Sequence, residues 1–263
     1  MHSYLVKILE QKREEVEVLR KGGLQKLESA VRHPPRDFRG AISREGRIGL
    51  IAEIKYASPS AGVICREGDT IAIGRAYEEA GAAAISLVTD RMFFKGRSED
   101  LPMLKVAVSL PVLRKDFVID EIQVKESYLL GADAVLLIAA ALSPEMLARC
   151  METSKSLGMA AITEVHDRED LQKAIDCGAP IIGINNRNLR TFKVSLDTTL
   201  ALAPQAPDGS VLISESGIRD DRDISRLKAA RIGAVLIGTE LMKSRDILKR
   251  TRELIRGCNG GTG

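Results

Sequence analysis

The amino-acid sequence predicts an α/β fold: a single (β/α)8 TIM barrel with an N-terminal helical extension. Three observations carry the prediction. The 263 residues suit one such barrel, helical and strand-like segments alternate, and Gly-Ala pairs precede several apolar runs. Two doubly wound halves would fit the same length, but no Gly-x-Gly-x-x-Gly turn of a dinucleotide fold follows the first strand. We therefore expect residues 1–45 to form the extension, residues 46–255 the barrel and residues 256–263 a flexible tail.

The extension opens with an amphipathic helical pattern between residues 3 and 31. Apolar side chains recur at helical spacing among many charges, and they are Leu5, Ile8, Leu9, Val16 and Leu19. Gly22 and Gly23 are able to interrupt this helix, and Pro34 with Pro35 ends it. A break at the glycines would let the extension pack over the barrel mouth, but the sequence does not show that docking.

Eight apolar runs after the extension are interpreted as the barrel strands. They span residues 48–55, 83–88, 111–113, 134–138, 160–163, 181–184, 211–214 and 235–237. Several of these runs are continuous rather than alternating, as expected of parallel strands that are covered on both faces. Eight strand and helix units of this size indicate a closed barrel.

Helix ends are marked by glycine and helix starts by short polar side chains. Glycines expected to end a helix in the left-handed conformation, each before an alanine and an apolar run, are Gly81, Gly131, Gly178 and Gly233. Residues expected to begin helices, by accepting hydrogen bonds from first-turn amides, are Asp69, Asp120, Ser143, Asp167 and Asp220. These signals place a helix between successive strands.

Composition restricts the classes of function. Lys and Arg total 39 against 36 Asp and Glu, and the net charge of +3 suits a small anionic substrate but gives no case for nucleic-acid binding. The longest apolar run, residues 129–142, is shorter than a membrane span, and the N-terminus lacks a secretory pattern, so we expect a cytoplasmic protein. The spacing of the four cysteines and three histidines predicts neither disulfides nor a metal site.

Ionisable side chains stand at the ends of several predicted strands, where the loops of a barrel converge on one pocket. They are Glu53, Lys55, Lys115, Glu164 and Glu215, with Asn185 ending another strand. Glu53 and Lys55 are two residues apart, so both should face the barrel interior and form an ion pair. A pair that only neutralises itself at the mouth is the alternative, but charges that end apolar strands repeatedly favour a site that uses them.

Lys115 is the candidate acid of this group. An isolated lysine titrates near about 10.4, so we expect its pKa to be lowered by desolvation or by a second ammonium group. Lys55 is the residue able to supply that second charge.

The seventh and eighth strands end in loops that resemble a barrel phosphate site. The residues concerned are Ser216, Gly217, Gly238 and Thr239. Backbone amides and a short helix N-terminus bind the anion in such sites, and glycine lets the anion approach. The sequence therefore predicts a phosphate ester as substrate.

Two further loops are candidates for substrate contact. Ser58 lies in a turn-rich segment after the first strand, which fits a mobile loop over the pocket. Residues 185–188, which include Arg187, are unusually polar directly after an apolar strand, and we expect them to bind substrate by hydrogen bonds.

These motifs, in this order, resemble the indole-3-glycerol-phosphate synthase family of tryptophan biosynthesis. The matching segments are residues 35–38, 51–55, 58–60, 112–118, 162–166, 182–189, 213–218 and 235–238. The set covers nearly the whole chain and is specific as a set, although no single motif is. Two positions depart from the pattern, since Tyr56 stands where arginine is common and Thr239 where serine is frequent. Tyr56 would remove a charge beside the pocket mouth.

The resemblance implies a lyase that converts 1-(2-carboxyphenylamino)-1-deoxyribulose 5-phosphate to indole-3-glycerol phosphate, carbon dioxide and water, without a cofactor. It assigns the ring-closing acid to Lys115 and the acid and base of dehydration to Lys55 and Glu164. Glu53 and Glu215 would position the ammonium groups, and Asn185 the ribulose hydroxyls. The implied substrate contacts are Lys55, Ser58 and Arg187 for the carboxylate, and Ser216, Gly217, Gly238 and Thr239 for the phosphate. Association with other tryptophan-pathway enzymes is compatible with the resemblance.

Two other functions fit parts of the sequence. A phosphate-binding barrel of the phosphoribosylanthranilate isomerase type would use a cysteine and an aspartate at its strand ends, whereas this chain offers Lys and Glu there. A non-catalytic phosphate-binding barrel would have lost an acid or a base, and none is missing from the pattern.

Overall fold

A computed structural model of the protein, which describes residues 3–28, 33–65, 68–189 and 191–259, is a closed ring of eight parallel strands. The strands are β1 Gly49–Ile54, β2 Ala84–Val88, β3 Val112–Lys115, β4 Ala134–Ile138, β5 Ala160–Val165, β6 Ile181–Asn185, β7 Val211–Glu215 and β8 Ala234–Ile237. Ile51 of β1 pairs with both Ala84 and Leu236, which closes the ring between β2 and β8. The predicted TIM barrel is confirmed.

The helices lie between the strands and in the extension. Their bounds are α1 Ser3–Val18, α2 Gln25–Glu28, α3 Phe38–Ile42, α4 Thr70–Ala80, α5 Arg91–Phe94, α6 Asp100–Ala107, α7 Glu121–Leu129, α8 Pro144–Ser156, α9 Arg168–Asp176, α10 Asp197–Leu202, α11 Asp221–Ala229, α12 Thr239–Met242 and α13 Ile247–Cys258. All five predicted cap residues accept hydrogen bonds from first-turn amides of their helices. The helix starts were therefore readable from local sequence.

Several strands reach one or two residues further than their apolar runs. Lys115, Asn185 and Glu215 are the last residues of β3, β6 and β7, and Glu164 is the penultimate residue of β5. These polar side chains are consequently held by the hydrogen-bonded ladder itself and not by the loops that follow it. Placement on a strand gives a side chain a more precise direction than placement on a loop.

Three of the four predicted glycine caps adopt the left-handed conformation. The φ angles are 93° at Gly81, 90° at Gly131 and 72° at Gly178. Gly233 differs, because the left-handed residue after α11 is Arg231, with φ of 58°. The Gly233 amide instead donates to the Leu212 carbonyl, and the Gly233 carbonyl accepts the Gly49 amide. Gly233 is therefore already hydrogen-bonded to the neighbouring strands.

The extension covers the mouth of the barrel. Helix α1 buries Leu5 and Ile8, which also line the central cavity. The helical pattern is interrupted where expected, since Gly22 has φ of 104° within a short π-helical segment. Residues 29–32, the end of the predicted amphipathic segment, lie outside the described residues.

The opposite end of the barrel is closed by α3. Phe38 and Ile42 are buried and pack on the interior side chains near the strand starts, such as Ala84 and Ala134. The extension therefore contributes to both ends of the barrel, its first helix to the mouth and α3 to the floor.

The C-terminal prediction is wrong at its boundary. Helix α13 continues through residues 256–258, and the Cys258 side chain is buried against the core. Cys258 also accepts the amide of Ile48 through its carbonyl, which ties the helix end to the start of β1. Residues 260–263 lie outside the described residues. Among the described helices, none has the length and apolarity to cross a membrane.

Candidate active site

A cavity of about 390 Å³ opens at the carboxyl ends of the strands. Of the predicted site residues, those that line it are Glu53, Lys55, Ser58, Lys115, Glu164, Asn185, Arg187, Ser216, Gly217, Gly238 and Thr239. Glu215 lies behind them and reaches the site through Lys115. The structure thus brings the predicted residues of six different strands and their loops to one place.

Glu53 and Lys55 form the ion pair expected from their spacing. The Glu53 side chain is only 3% exposed, whereas Lys55 is 17% exposed and faces the cavity. Burial opposes the charge of Glu53, but the ammonium groups of Lys55 and Lys115 outweigh burial and lower the pKa of this carboxyl. The pair does not merely neutralise itself, because Glu53 also lies 3.7 Å from Lys115 Nζ.

Lys115 is surrounded by three carboxylates. Its Nζ lies 2.5 Å from Glu215 Oε2, 3.6 Å from Glu164 Oε2 and 3.7 Å from Glu53 Oε1. Burial lowers the pKa of Lys115, but these carboxylates outweigh burial and raise it above its ordinary value. The expected lowering by Lys55 is therefore wrong for this structure, and Lys115 is a firmly protonated ammonium group.

Glu164 is held as a carboxylate. Burial opposes its charge, but Lys115 and His166 stabilise it, so its pKa is lowered well below the ordinary value. The amide of Asn185 also donates to Glu164, and Asn185 Oδ1 accepts the backbone amide of Arg187 at 3.0 Å. Asn185 consequently links the carboxylate to the loop that carries Arg187.

The pKa of Glu215 is shifted in the opposite direction to that of Glu164. Its side chain is 1% exposed, and burial together with the charge of Glu164 raises its pKa to about 7. Its Oε1 atom is buried and has no hydrogen-bond donor among the described residues. A buried carboxylate oxygen without a donor is costly, which favours the protonated form of Glu215. The pKa values of two carboxylates of one site are therefore shifted in opposite directions.

The predicted phosphate residues form a turn beside a helix start. Ser216 and Gly217 both have positive φ, 67° and 82°, a succession of left-handed residues that is unusual at a serine. Helix α12 begins at Thr239, directly after Gly238 and the end of β8. Successive amides in such a turn, together with a helix start, provide donors for an anion.

Asn186 supports this turn and does not face the cavity. It is buried, donates to Ser214 Oγ at 2.9 Å and to the Ser216 carbonyl at 3.0 Å, and accepts from Thr199 Oγ1 at 2.8 Å. The polar run at residues 185–188 was expected to contact substrate as a whole. Asn186 is therefore a correction, since its amide holds the left-handed Ser216 in place.

Two loops complete the polar rim. Ser58 lies in a short hairpin, Ala57–Ser58 paired with Gly62–Val63, and its hydroxyl accepts the amide of Ala61 at 3.2 Å. Arg187 is half-buried, and its guanidinium donates to the Phe192 carbonyl at 3.3 Å. Burial lowers the pKa of Arg187 from its high ordinary value.

The family resemblance implied that residue 56 lies beside the pocket mouth, but Tyr56 does not lie there. Its hydroxyl lies 2.7 Å from Thr70 Oγ1 and donates to the Gly68 carbonyl at 3.2 Å. The residue packs against the core beside β1. Tyr56 is therefore not among the residues that line the cavity.

An apolar wall was missed by the sequence reasoning. Phe94, Phe117 and Phe192, three of the five phenylalanines of the chain, line the cavity together with Leu5 and Ile8 of α1. The rings of Phe94 and Phe117 lie 5.8 Å apart. The chain has few aromatic residues, and Phe94 and Phe117 each follow a predicted strand closely. That pattern could have indicated aromatic side chains at the mouth of the barrel. The cavity combines an apolar wall, an anion turn and a group of lysine and glutamate side chains.

Comparison with known proteins gives a consistent result. The family model described as indole-3-glycerol phosphate synthase matches residues 5–254. The indole-3-glycerol phosphate synthase of Chlorobium limicola is 46% identical over 249 residues, which cover 93% of this chain and 96% of that protein. The enzyme of the same name from Chloroherpeton thalassium is 47% identical over 248 residues, covering 92% and 95%.

Solved structures agree on the fold. The 3-hexulose-6-phosphate synthase of Salmonella typhimurium superposes with a TM-score of 0.66 at 11% identity, covering 80% of this chain and 98% of that chain. At that identity the similarity concerns the barrel alone.

Proposed function

The chain belongs to the indole-3-glycerol-phosphate synthase family, and from this premise we propose which side chains carry out each step of the reaction. The enzyme is a carboxy-lyase that converts 1-(2-carboxyphenylamino)-1-deoxyribulose 5-phosphate to indole-3-glycerol phosphate, carbon dioxide and water. The observation that carries the assignment is the convergence of Lys55, Lys115 and Glu164 on one cavity. The alternative barrel functions are not favoured by the family match.

The substrate has three parts that match three parts of the cavity. We place its phosphate against the Ser216 and Gly217 turn, with Gly238 and Thr239 at the start of α12. Its aromatic ring would pack on the Phe94 side of the apolar wall. Its carboxylate would face three polar side chains of the rim, and these are Lys55, Ser58 and Arg187.

Ring closure needs a proton on the ketone oxygen of the ribulose. As the aromatic carbon that bears the carboxylate attacks this ketone, the carbonyl electrons move to oxygen, and we assign Lys115 as the donor. The raised pKa of Lys115 does not prevent the transfer, because an alkoxide is a very strong base. The alcohol that it forms on protonation is about as weak an acid as water, whose pKa is about 15.7. Loss of carbon dioxide then returns an electron pair to the aromatic ring.

Dehydration needs an acid for the leaving hydroxyl and a base for the neighbouring C–H. We assign the acid to Lys55, which faces the cavity, and the base to Glu164, which is held as a carboxylate. Glu53 would position both ammonium groups, Glu215 would position Lys115, and Asn185 would orient the ribulose hydroxyls.

Three wider statements belong to the same proposal. We propose a single barrel domain, since the extension packs on both ends of the barrel. A cytoplasmic location fits a small phosphorylated substrate and the absence of a membrane-spanning helix among the described residues. Association with other tryptophan-pathway enzymes would be tested by co-purification.

The direct test is an assay of indole-3-glycerol phosphate formation. The product has an indole fluorescence that is easily seen, because the chain contains no tryptophan. We expect Lys115→Met to lower kcat by about a hundredfold or more, as removal of a general acid does, while product still binds.

Lys228→Met, at an exposed position of α11, is the matched control and should keep the activity of the unchanged protein. An unchanged kcat in Lys115→Met would remove Lys115 as the acid. No indole product from the unchanged protein would contradict the function as a whole.

A further inference from the structure

His166 and Asp170 lie behind Glu164, and the reaction described above gives them no role. We propose that His166, which lies beside Asp170, is a positioning residue that keeps Glu164 ionised by placing a second positive charge against its carboxylate. The inference rests on the proposed role of Glu164 as a base. It adds a residue to the machinery that never touches substrate.

The geometry places His166 between two carboxylates. Its Nε2 atom lies 3.1 Å from Glu164 Oε1, and its Nδ1 atom lies 3.4 Å from Asp170 Oδ2. The same Asp170 oxygen accepts the backbone amide of His166 at 3.1 Å, and the Asp170 amide donates to Asp167 Oδ1 at 3.0 Å. Asp170 is therefore fixed by the cap of α9. Among the described residues neither imidazole nitrogen makes an aligned hydrogen bond, so the two carboxylates act on the ring through charge at ion-pair distance.

His166 acts from outside the cavity. The described residues that line the cavity include Glu164 but not His166, and the imidazole side chain is only 7% exposed. Glu164 is thus contacted from two directions, by Lys115 on the substrate side and by His166 on the far side. Loss of His166 would leave the shape of the substrate site intact and change one charge behind it.

The charged groups that face Glu164 and His166 come from the other strands and from α9. From the other strands, Glu164 faces Lys115, Glu53 and Glu215. On α9, the nearby cation Lys173 is occupied, because its Nζ donates to the carbonyls of Ala139 and Leu142 at 2.8 and 3.1 Å. Lys115 contacts both Glu164 and Glu215. Among the described residues, the cation that contacts Glu164 but not Glu215 is consequently the His166 imidazolium.

Ionisation tendencies agree with this arrangement. Burial opposes the charge of His166, but Asp170 and Glu164 outweigh burial and raise its pKa to about 9, so the ring is positive at neutral pH. Glu215 has Lys115 as its cationic neighbour but no imidazolium, and burial with the charge of Glu164 raises its pKa to about 7. Glu164 thus has two cationic neighbours, Lys115 and His166, and the imidazolium makes it a poorer site for a proton than it would be with Lys115 alone.

The test compares His166→Asn with His33→Asn, a control at an exposed histidine. We expect the ratio of His166→Asn kcat to unchanged kcat to fall about tenfold between pH 8 and pH 6, because Glu164 binds a proton more readily when the positive charge beside it is gone. KM should stay nearly constant. A purely structural loss would lower kcat by the same factor at every pH.

A second measurement needs no His166 variant. NMR titration of the imidazole resonances in the unchanged protein, assigned with His2→Asn and His33→Asn, should show His166 protonated above pH 8. Asp170→Asn should lower that pKa.

The outcomes separate the two proposals. Full activity in Glu164→Gln would overturn the proposed base, whatever His166 does. An inactive Glu164→Gln combined with a pH-independent ratio for His166→Asn, or with an ordinary imidazole pKa near about 6.5, would overturn the inference about His166 alone.

Discussion

Gly238 illustrates how closely the catalytic carboxylates are packed. Its φ angle is −124°, so the backbone does not require glycine. A Cβ atom added there would overlap the carboxylate of Glu53, the group that binds Lys55 and approaches Lys115. The glycine expected to make room for a phosphate thus also makes room for Glu53.

We therefore predict that Gly238→Ala lowers kcat/KM by roughly ten- to a hundredfold, because a displaced Glu53 misplaces both lysines. Gly233→Ala, just before the same strand, is the control. Its added Cβ would meet only Val211 at 3.5 Å and Leu212 at 3.7 Å, which is ordinary contact. Steady-state kinetics of both variants checks the prediction, and equal activities would contradict it.

Among the elements, α1 is anchored over the barrel mouth by one buried lysine. Lys12, 2% exposed, lies 2.8 Å from Asp116 Oδ1 and 3.1 Å from Asp90 Oδ2. These aspartates follow β3 and β2, so a single side chain of the extension reaches two strand ends. Burial opposes the charge of Asp116, but Lys12 and Arg114 outweigh burial and lower its pKa to about 2. Because α1 also lines the cavity, its anchor has consequences for binding.

Lys12→Met should lower the free energy of unfolding by about 3 kcal/mol, since the buried Asp90 loses Lys12 and the buried Asp116 keeps only Arg114. It should also raise KM about fivefold, or about 1 kcal/mol, because Leu5 and Ile8 lose their fixed position on the cavity. Denaturant unfolding and kinetics measure the two effects. Lys7→Met, exposed on the same helix, should change neither.

The pH dependence of this variant has a definite sign. A carboxyl whose pKa is lowered in the folded state adds stability above its unfolded value, about 3.9, and loses it as the pH falls toward about 2. The difference between the unchanged protein and Lys12→Met should therefore shrink over that window. A constant difference down to pH 2 would show that Lys12 acts through packing alone.

In the whole molecule, the chemistry is confined to one end of the barrel, and the other end contributes to stability without contributing to the site. The cavity lies at the carboxyl ends of the strands, whereas the floor is tied together by Asp133, which directly precedes β4. Asp133 is fully buried and pairs with Lys105, and it accepts the amides of Arg36 at 2.5 Å and Val112 at 2.7 Å. The Asp133 carboxylate thus joins the extension to two strands.

Asp133→Asn should lower the free energy of unfolding by about 3 to 5 kcal/mol, because Lys105 is left buried without its counter-charge. Under conditions in which the variant remains folded, its kcat/KM should stay within about twofold of that of the unchanged enzyme, since the floor is remote from the chemistry. Glu79→Gln is the control, because its pair with Arg252 is exposed and should contribute less than about 1 kcal/mol. A large loss of activity in folded Asp133→Asn would contradict this separation.

Much of the architecture and the membership of the site followed from local sequence. Strand and helix patterns, cap residues and the rule that barrel sites lie at carboxyl strand ends identified Glu53, Lys115 and Glu164 as neighbours before any coordinates. The role of Asn186 was not predictable in this way. Whether a polar residue after a strand faces the cavity or the turn beside it depends on contacts with Thr199 and Ser214.

Local order along the chain was sufficient for the fold and for the polar residues that end the strands, because periodicity, caps and strand ends are properties of neighbouring residues. Tertiary structure alone decided the docking of α1 and the ionisation of the site. Lys115 and Glu215 are 100 residues apart in sequence, yet their separation of 2.5 Å reverses the expected direction of the lysine pKa. Electrostatic energy depends on distance and burial in space, and neither is written in sequence spacing.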